Sequence, residues 1–486
     1  MSSTSIRKIG KYARYKPSIM PSVDEIPDSW GIFKLGVLGR FSSSGIDKKS
    51  NEDEPSVSMV NYLDVYNNSK HSLDSNKRYM VVTTTHRKIM EYRLKKGDIL
   101  FTPSSETRHD IGWSAVVTED LPNAVFSYHL AKFKPYQEFD LRFSKYIGNN
   151  YHVLNQFSLL CNGTTRYVLS RADFRSTLVI LPPFHDQVQI GRFLDFKNYQ
   201  INKYIRIKKR QIELLKELKQ AIINDAVTGK IDVRTGKPYP KYKDSGIDWL
   251  GMMPEDWQHS SLAKVCSLIV DGTHFSPKSY DSGDFMYITA KNIKEQGVDL
   301  SDISFISAAD HEPIYRRCPV TKGDVLYIKD GATAGIATIN NIEEQFSLLS
   351  SVALIRTLSH LKPRYLVYFL NSTVFKSHPL SSLTGGAMTR FTIDKLKKYN
   401  VLYPSSDEQL SIVDYLNSHI EKINRKINTL NRSIELLSSL QTRLISDVVT
   451  GQMDVRDVDV PDIPEYELEQ EFEVDAELIE ESENAD

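Results

Sequence analysis

Cysteine is scarce in this chain, and long apolar runs are missing. The 3 cysteines, Cys161, Cys266 and Cys318, lie far apart and none sits in a CxxC pair. That speaks against a disulfide framework and against a zinc finger, and leaves reduced, structural thiols as the expectation. No stretch approaches the roughly 18 uninterrupted apolar residues of a membrane span. The opening segment MSSTSIRKIGKYARYK has no apolar signal core. The chain is therefore expected in the cytoplasm, with no membrane partner.

The usual catalytic groups are also lacking. Leu181 to Phe184, LPPF, has the outline of the motif with which amino-methyltransferases grip a target base, but a leucine cannot hydrogen-bond an amino group. GATAG at Gly331 to Gly335 lacks the GK[ST] ending of a phosphate loop. His311 and Glu312 open HEPIY, where a zinc protease needs a second histidine four residues after the first. No catalytic residue, bound cofactor or metal ligand is assigned to this chain.

What is present exceeds one core. The chain has 486 residues, and length over about 150 gives a prior of about three globular units. With 40% apolar, 10% aromatic and 25% charged side chains it matches packed proteins. The net charge of −1 hides an asymmetry: residues 457–486 hold 14 carboxylates and no Lys or Arg. The preceding 456 residues carry 48 acidic against 61 basic side chains, a balance of +13 that suits a polyanion. The acidic end should repel itself and stay unfolded unless a partner orders it.

The same text is written twice. RYKPSIMPSVDEIPDSW (Arg14 to Trp30) returns 227 residues later as KYKDSGIDWLGMMPEDW (Lys241 to Trp257). KKGDIL (Lys95 to Leu100) returns as TKGDVL (Thr321 to Leu326), TRY (Thr165 to Tyr167) as TRF (Thr389 to Phe391), and VTGKIDVR (Val227 to Arg234) as VTGQMDVR (Val449 to Arg456). The order is conserved between the halves, so two copies of one module are expected. Each copy ends in a heptad pattern. In the second it runs through Leu416, Ile420, Ile423, Ile427, Leu430, Ile434, Leu437, Leu444 and Val448, with Gln441 breaking the series. In the first it runs through Leu194, Ile201, Ile205, Ile212, Leu215 and Ile222, with Asn198, Lys208 and Lys219 as polar interruptions. The expected organisation is a first globular domain over 15–185, a helix over 186–228, a linker over 229–247, a second domain over 248–406, a helix over 407–450 and the acidic tail over 457–486. The domains read as α/β (α+β), and the two helices as an antiparallel coiled coil relating the halves by a pseudo-two-fold axis.

The loops hold side chains that read nucleic acid: Arg and Lys for phosphate and guanine, Asn and Thr for other base edges. In the first half these are Thr84, Thr85, Arg87 and Lys88, then Ser105, Thr107, Arg108 and His109, then Arg166. In the second they are Asp271, Thr273 and His274, then Lys291 and Asn292, then Lys329 and Arg390.

Duplicated domains, each followed by a heptad helix ending in VTG, together with IPDSW/MPEDW, KGDIL/KGDVL, DGTHFSP and PSSDEQ, resemble the DNA-specificity subunit of Type I restriction-modification systems. The resemblance covers about residues 15–456. It implies two target-recognition domains, each reading one half of a split double-stranded DNA sequence, and paired helices as a spacer on which two methyltransferase subunits dock. By the same resemblance S-adenosylmethionine belongs to those partners, and ATP with Mg to the motor-nuclease subunits. The acidic tail departs from the pattern. Two other readings remain open from the residues alone: a methyltransferase or nuclease acting by itself, and a coiled-coil scaffold with two protein-binding heads. Methyl transfer by the isolated chain would favour the first, and absent or salt-insensitive DNA binding the second.

Overall fold

The structure, a computed structural model, describes residues 10–48, 51–66, 68–381 and 392–462. The tail expectation from 463 onward lies outside the described residues. The chain divides into two compact units, residues 1–207 with 432–486, and residues 208–431. Each unit therefore takes chain from both halves of the sequence. Two helices run Phe184–Val227 and Ser406–Val449, 44 residues each and within two residues of the expected bounds. Neither contains proline after its first turn, and both stop just before a glycine with positive φ, Gly229 at 71° and Gly451 at 74°.

The first unit has a five-stranded sheet in the order Gly39–Ser43, Ala131–Pro135, Ile99–Phe101, Ser114–Val117, Ser72–Leu73. Beside it is a three-stranded sheet, Ala124–Phe126, Ser56–Val60, Met80–Thr83. The second unit repeats this plan. Its four-stranded sheet runs Cys266–Asp271, Val352–Thr357, Val325–Ile328, Ala337–Ile339, and its three-stranded sheet Ser304–Ile306, Phe285–Ile288, Phe346–Leu348. In each small sheet one pairing is parallel and the other antiparallel. The two units share one mixed α and β fold. Even single contacts repeat: Asn149 exchanges side-chain bonds of 2.9 and 2.7 Å with the backbone of Ser114, and Asn371 does so at 3.0 and 2.8 Å with Ala337.

The helices begin identically. Gln187 donates to the Pro182 carbonyl at 2.9 Å and accepts from the Asp140 amide at 3.1 Å. Gln409 donates to the Pro404 carbonyl at 2.9 Å and accepts from the Lys362 amide at 2.8 Å. One buried glutamine thus ties the helix start to its own domain, which accounts for the repeated Gln in PxxxDQ and PSSDEQ. Within the first unit Leu194 and Phe193 share a core with Val448 and Val449, and Gln441 donates to Asn202 at 3.3 Å. Within the second, Ile223 and Val227 share a core with Ile412 and Leu416. Three polar interruptions of the heptads have partners: Gln441, as just given, Asn198 on the Tyr146 hydroxyl at 3.0 Å, and Lys219 on Glu295 at 2.9 Å.

The lead-in segments close each unit. In the first, Trp30 Nε1 donates to Asp186 at 3.0 Å, Tyr15 donates to the Gly451 carbonyl at 2.8 Å, and Tyr12 meets Trp30 edge-on at 5.3 Å beneath Arg456. In the second, Trp257 donates to Glu408 at 3.4 Å, Tyr242 to the Gly229 carbonyl at 3.1 Å, and Tyr239 meets Trp257 edge-on at 5.7 Å. The carboxylates differ by one methylene, and the consequence is visible. Glu408 also accepts from the Tyr239 hydroxyl and, at 3.1 Å, from Arg234. In the first unit the buried Tyr12 hydroxyl has no hydrogen-bond partner among the described residues.

One boundary shifts. The packed chain continues past residue 457, where the tail was expected to begin, because Gln189 donates to the carbonyls of Val455 and Val458 at 3.0 and 2.8 Å and Val460 is buried in the first core. Among the described residues, no helix is long and apolar enough to cross a membrane. Cys161, Cys266 and Cys318 are all free and buried.

The missing Tyr12 contact generates a prediction. Asp186→Glu should let the carboxylate reach the hydroxyl and raise the stability of the first unit by about 1 kcal/mol, the net value of one hydrogen bond. Comparing denaturant midpoints of the variant and the parent protein checks this, and Tyr12→Phe in the same background should abolish the gain.

Candidate nucleic-acid interface

Part of the candidate set follows strands of the larger sheets: Ser105 to His109 come after Ile99–Phe101, Thr273 and His274 after Cys266–Asp271, and Lys329 after Val325–Ile328, whereas Thr84 to Lys88 and Lys291 with Asn292 follow strands of the small sheets. Gly39–Ser43 and Ile99–Phe101 are both antiparallel to Ala131–Pro135 and so run the same way, ending at one edge of the sheet. Cys266–Asp271 and Val325–Ile328 are likewise both antiparallel to Val352–Thr357. Loops leaving that edge carry the exposed Arg108 and His274.

In the first unit the loop after Phe101 pairs with a hairpin arm, Ser104–Ser105 against Tyr167–Val168. The hairpin turns at Gly163, φ 133°, where a Cβ would lie 2.0 Å from the Arg166 carbonyl. This holds exposed Arg166 over the loop, its Nη2 and Nε donating to Ser104 Oγ at 3.1 and 3.3 Å. Arg108 lies 5.3 Å from the Tyr167 ring, and the Ser105 hydroxyl accepts from the Thr107 amide at 3.2 Å. Asp110 fixes the far side of the loop, accepting from Trp113 Nε1 at 2.7 Å and from the Tyr66 hydroxyl. Trp113 stacks on His71 with ring centroids 5.6 Å apart. Burial, helped by Lys145, pushes the His71 imidazole down to about 4.

Thr85 caps the helix His86–Tyr92, on which Arg87 and Lys88 are exposed. Lys88 Nζ donates to the Gly45 carbonyl at 3.4 Å, and the neighbouring Ile46 carbonyl accepts from the Tyr128 amide at 3.0 Å. Burial and then the nearby Arg166 and Lys48 cations depress the pKa of His129, beside Tyr128. A shallow cleft next to these groups is lined by Ser42, Ser43, Pro103, Tyr128 and Arg171, with Arg171 donating to Ser43 at 3.3 Å. The structure therefore brings Lys88, Arg108 and Arg166 to one basic, aromatic-edged surface. Tyr128 and Arg171 belong to it and were not singled out by sequence, because neither stands in a motif or a polar loop cluster.

In the second unit His274 and Lys291 are exposed, and Lys291 pairs with Asp302 at 2.9 Å. The other second-half positions need correction. Asp271, Thr273, Asn292 and Lys329 are buried, as are Thr84 and Ser105 in the first half. They serve the fold. The Asn292 side chain accepts from the Thr289 amide at 3.1 Å and donates to the carbonyls of Asp299 and Asp302 at 3.1 and 3.0 Å, stapling a loop. Thr273 is held between strands by its amide on the Leu348 carbonyl at 2.8 Å, and Lys329 lies 3.5 Å from Asp271. Polar type marked these residues, but their polarity satisfies the interior. Arg390 lies outside the described residues. His311, the head of HEPIY, is buried with Nδ1 2.9 Å from Ser347 and its ring 3.7 Å from Phe285. Among the described residues no group of three or more His, Cys, Asp or Glu side chains could hold a metal ion.

Comparison with known proteins places the chain in a family. The sequence profile of the Type I restriction modification DNA specificity domain matches residues 27–217 and again 254–436, more than half of the chain. The chain belongs to this DNA-specificity family. Similar proteins include the EcoBI specificity subunit of Escherichia coli, 26% identical over 321 residues that cover 62% of this chain and 65% of that protein. A putative MjaX specificity subunit of Methanocaldococcus jannaschii is 21% identical over 445 residues, 89% of this chain and 96% of the other. Among solved structures, a chain from work on the complex assembly and conformational transition of a type I R-M system superposes with a TM-score of 0.64 at 18% identity, covering 88% of this chain and 99% of that one. Membership of the specificity family makes this a non-catalytic, DNA-recognising chain.

Two predictions follow from the geometry of the first unit. Arg166 is exposed, so Arg166→Ala should leave stability within about 0.5 kcal/mol of the parent while weakening the DNA half-site that this unit reads. A thermal scan beside binding measurements separates the two effects. His71 should make the first unit acid-sensitive. Above its ordinary pKa of about 6.5 both folded and unfolded imidazoles are neutral; below it the unfolded chain takes the proton first, so stability falls by up to about 1.4 kcal/mol per pH unit until the folded group titrates near 4. The stability difference between the parent and His71→Gln should shrink as pH drops from 6.5 to 4.

Proposed function

We propose that the two globular parts each read one half of a split double-stranded DNA target, and that the helices Phe184–Val227 and Ser406–Val449 pair as an antiparallel coiled coil that fixes the distance between the readers. The observation that carries this reading is the recurrence of one fold with unlike exposed side chains in its loops: Lys88, Arg108 and Arg166 in the first unit, His274 and Lys291 in the second. A shared frame with unlike loops is what reading two different half-sites requires. The contacts inside each unit, Gln441 with Asn202 and Ile223 beside Leu416, support the antiparallel pairing and with it a pseudo-two-fold relation of the halves.

In this reading two methyltransferase subunits dock on the helices and bring S-adenosylmethionine, while motor-nuclease subunits bring ATP and Mg. The chain supplies the address and its partners the chemistry, in the cytoplasm where the DNA is. The acidic tail is assigned no role.

DNA affinity of the assembled complex should fall about 10³- to 10⁵-fold between 50 and 200 mM salt if about 6 to 10 phosphates are contacted. A flat response removes the DNA-reading assignment. The spacing function is tested separately. Inserting one heptad into each helix keeps every seam residue facing its partner and lengthens the rod by about 10.5 Å, at about 1.5 Å per residue. Duplex DNA rises about 3.4 Å per base pair, so the preferred gap between half-sites should grow by about three base pairs with both half-site sequences unchanged. Methylation mapped on a library of randomised gap lengths reads this directly.

A further inference from the structure

The second unit contains a charge cluster at the ends of two strands of its larger sheet, part buried and part exposed. Asp271 ends the strand Cys266–Asp271, and Lys329 follows the strand Val325–Ile328, with the strand Val352–Thr357 lying between them. Both side chains are almost fully buried, 7% and 3% exposed, with Lys329 Nζ 3.5 Å from Asp271 Oδ2 and 2.7 Å from Asp330. The other carboxylate oxygen, Oδ1, is turned toward the surface. It accepts from Arg317 Nη2 at 2.6 Å and lies 3.2 Å from His274 Nε2, and both of those side chains are 50% exposed.

Lys329 gives its hydrogen bond to Asp330 and reaches Asp271 only at 3.5 Å, so the direct donor to the buried Asp271 carboxylate is Arg317, a side chain that stays half exposed while it makes this contact. Arg317 sits at the end of the helix Ala308–Arg317, and one of its five N–H donors is given to Asp271. A guanidinium fixed through one edge by a buried carboxylate loses little further freedom when its remaining donors meet a ligand. The planar, bidentate partner that such a fork fits on duplex DNA is the O6/N7 edge of guanine. The backbone under the cluster is equally fixed: a Cβ on Gly272 would lie 1.9 Å from the Leu348 carbonyl.

We propose that Arg317 is a guanine-reading side chain of the second recognition unit, and that Asp271, with Lys329 behind it, is the positioning residue that aims it. This rests on the reading of the units as readers of two half-sites, and it reassigns Asp271 and Lys329 from contact to support.

The test is selection from randomised duplex DNA by the assembled complex, scoring each base position of both half-sites. The parent complex must first return a split sequence; if it returns none, the two-reader reading itself has failed. Given that sequence, Arg317→Ala should lose about 5- to 150-fold discrimination at one G·C pair in one half-site, with the other half-site unchanged. Arg317→Lys should keep the salt dependence and still lose that discrimination. Asp271→Asn should relax the same base pair more weakly, since the arginine is present but unclamped. Full discrimination in Arg317→Ala overturns the proposal. So does a uniform loss across all sequences with a salt slope smaller by about one, which would make Arg317 a phosphate contact. Loss in Asp271→Asn spread evenly over both half-sites would reduce Asp271 to a structural ion.

Discussion

Everything in this fold hangs on a buried indole–carboxylate contact made twice. Trp30 on Asp186 and Trp257 on Glu408 join the segment leading into a domain to the first turn of the helix leaving it. Around each contact gather the Tyr-x-x-Tyr of the lead-in and the VTG end of the other long helix. Three pieces of chain distant in sequence are thereby held at one point. The loops at the strand edge of each domain inherit their orientation from that point through the sheet.

The repeat is visible in the sequence because these contacts need particular side chains. Gln187 and Gln409 must span a carbonyl and an amide, Gly229 and Gly451 must take positive φ, and the tryptophans must present an N–H. Such demands preserve letters. The heptads show for a related reason: a seam restricts residue type at fixed intervals. The helices Phe184–Val227 and Ser406–Val449 lie where the two heptad patterns run.

The site was only partly legible. Arg166, Arg108 and Lys88 were read from their loops and do reach the surface together. Thr84, Ser105, Asp271, Thr273, Asn292 and Lys329 have the same chemistry but are buried. Sequence reports that a residue can donate or accept; it does not report whether the partner is the protein itself. Asn292 spends its amide on its own loop, and Lys329 donates to the adjacent Asp330 at 2.7 Å. Arg317 stands in no motif and in no polar loop cluster of the sequence. Only the carboxylate beneath it sets it apart.

The way the units divide the chain also orders their synthesis. The second unit is one continuous stretch, residues 208–431, whereas the first needs residues 432–462 to fill its core with Val448, Val449, Val455 and Val460. A ribosome delivers the first domain early but its last core residues only after the whole second unit. The second unit is therefore complete while the first still has an open apolar face, reversing the usual order in which the domain nearest the start matures first. During that interval the face of Ile190, Phe193 and Leu194 waits in the growing chain, and a stop codon near position 431 would leave it permanently uncovered.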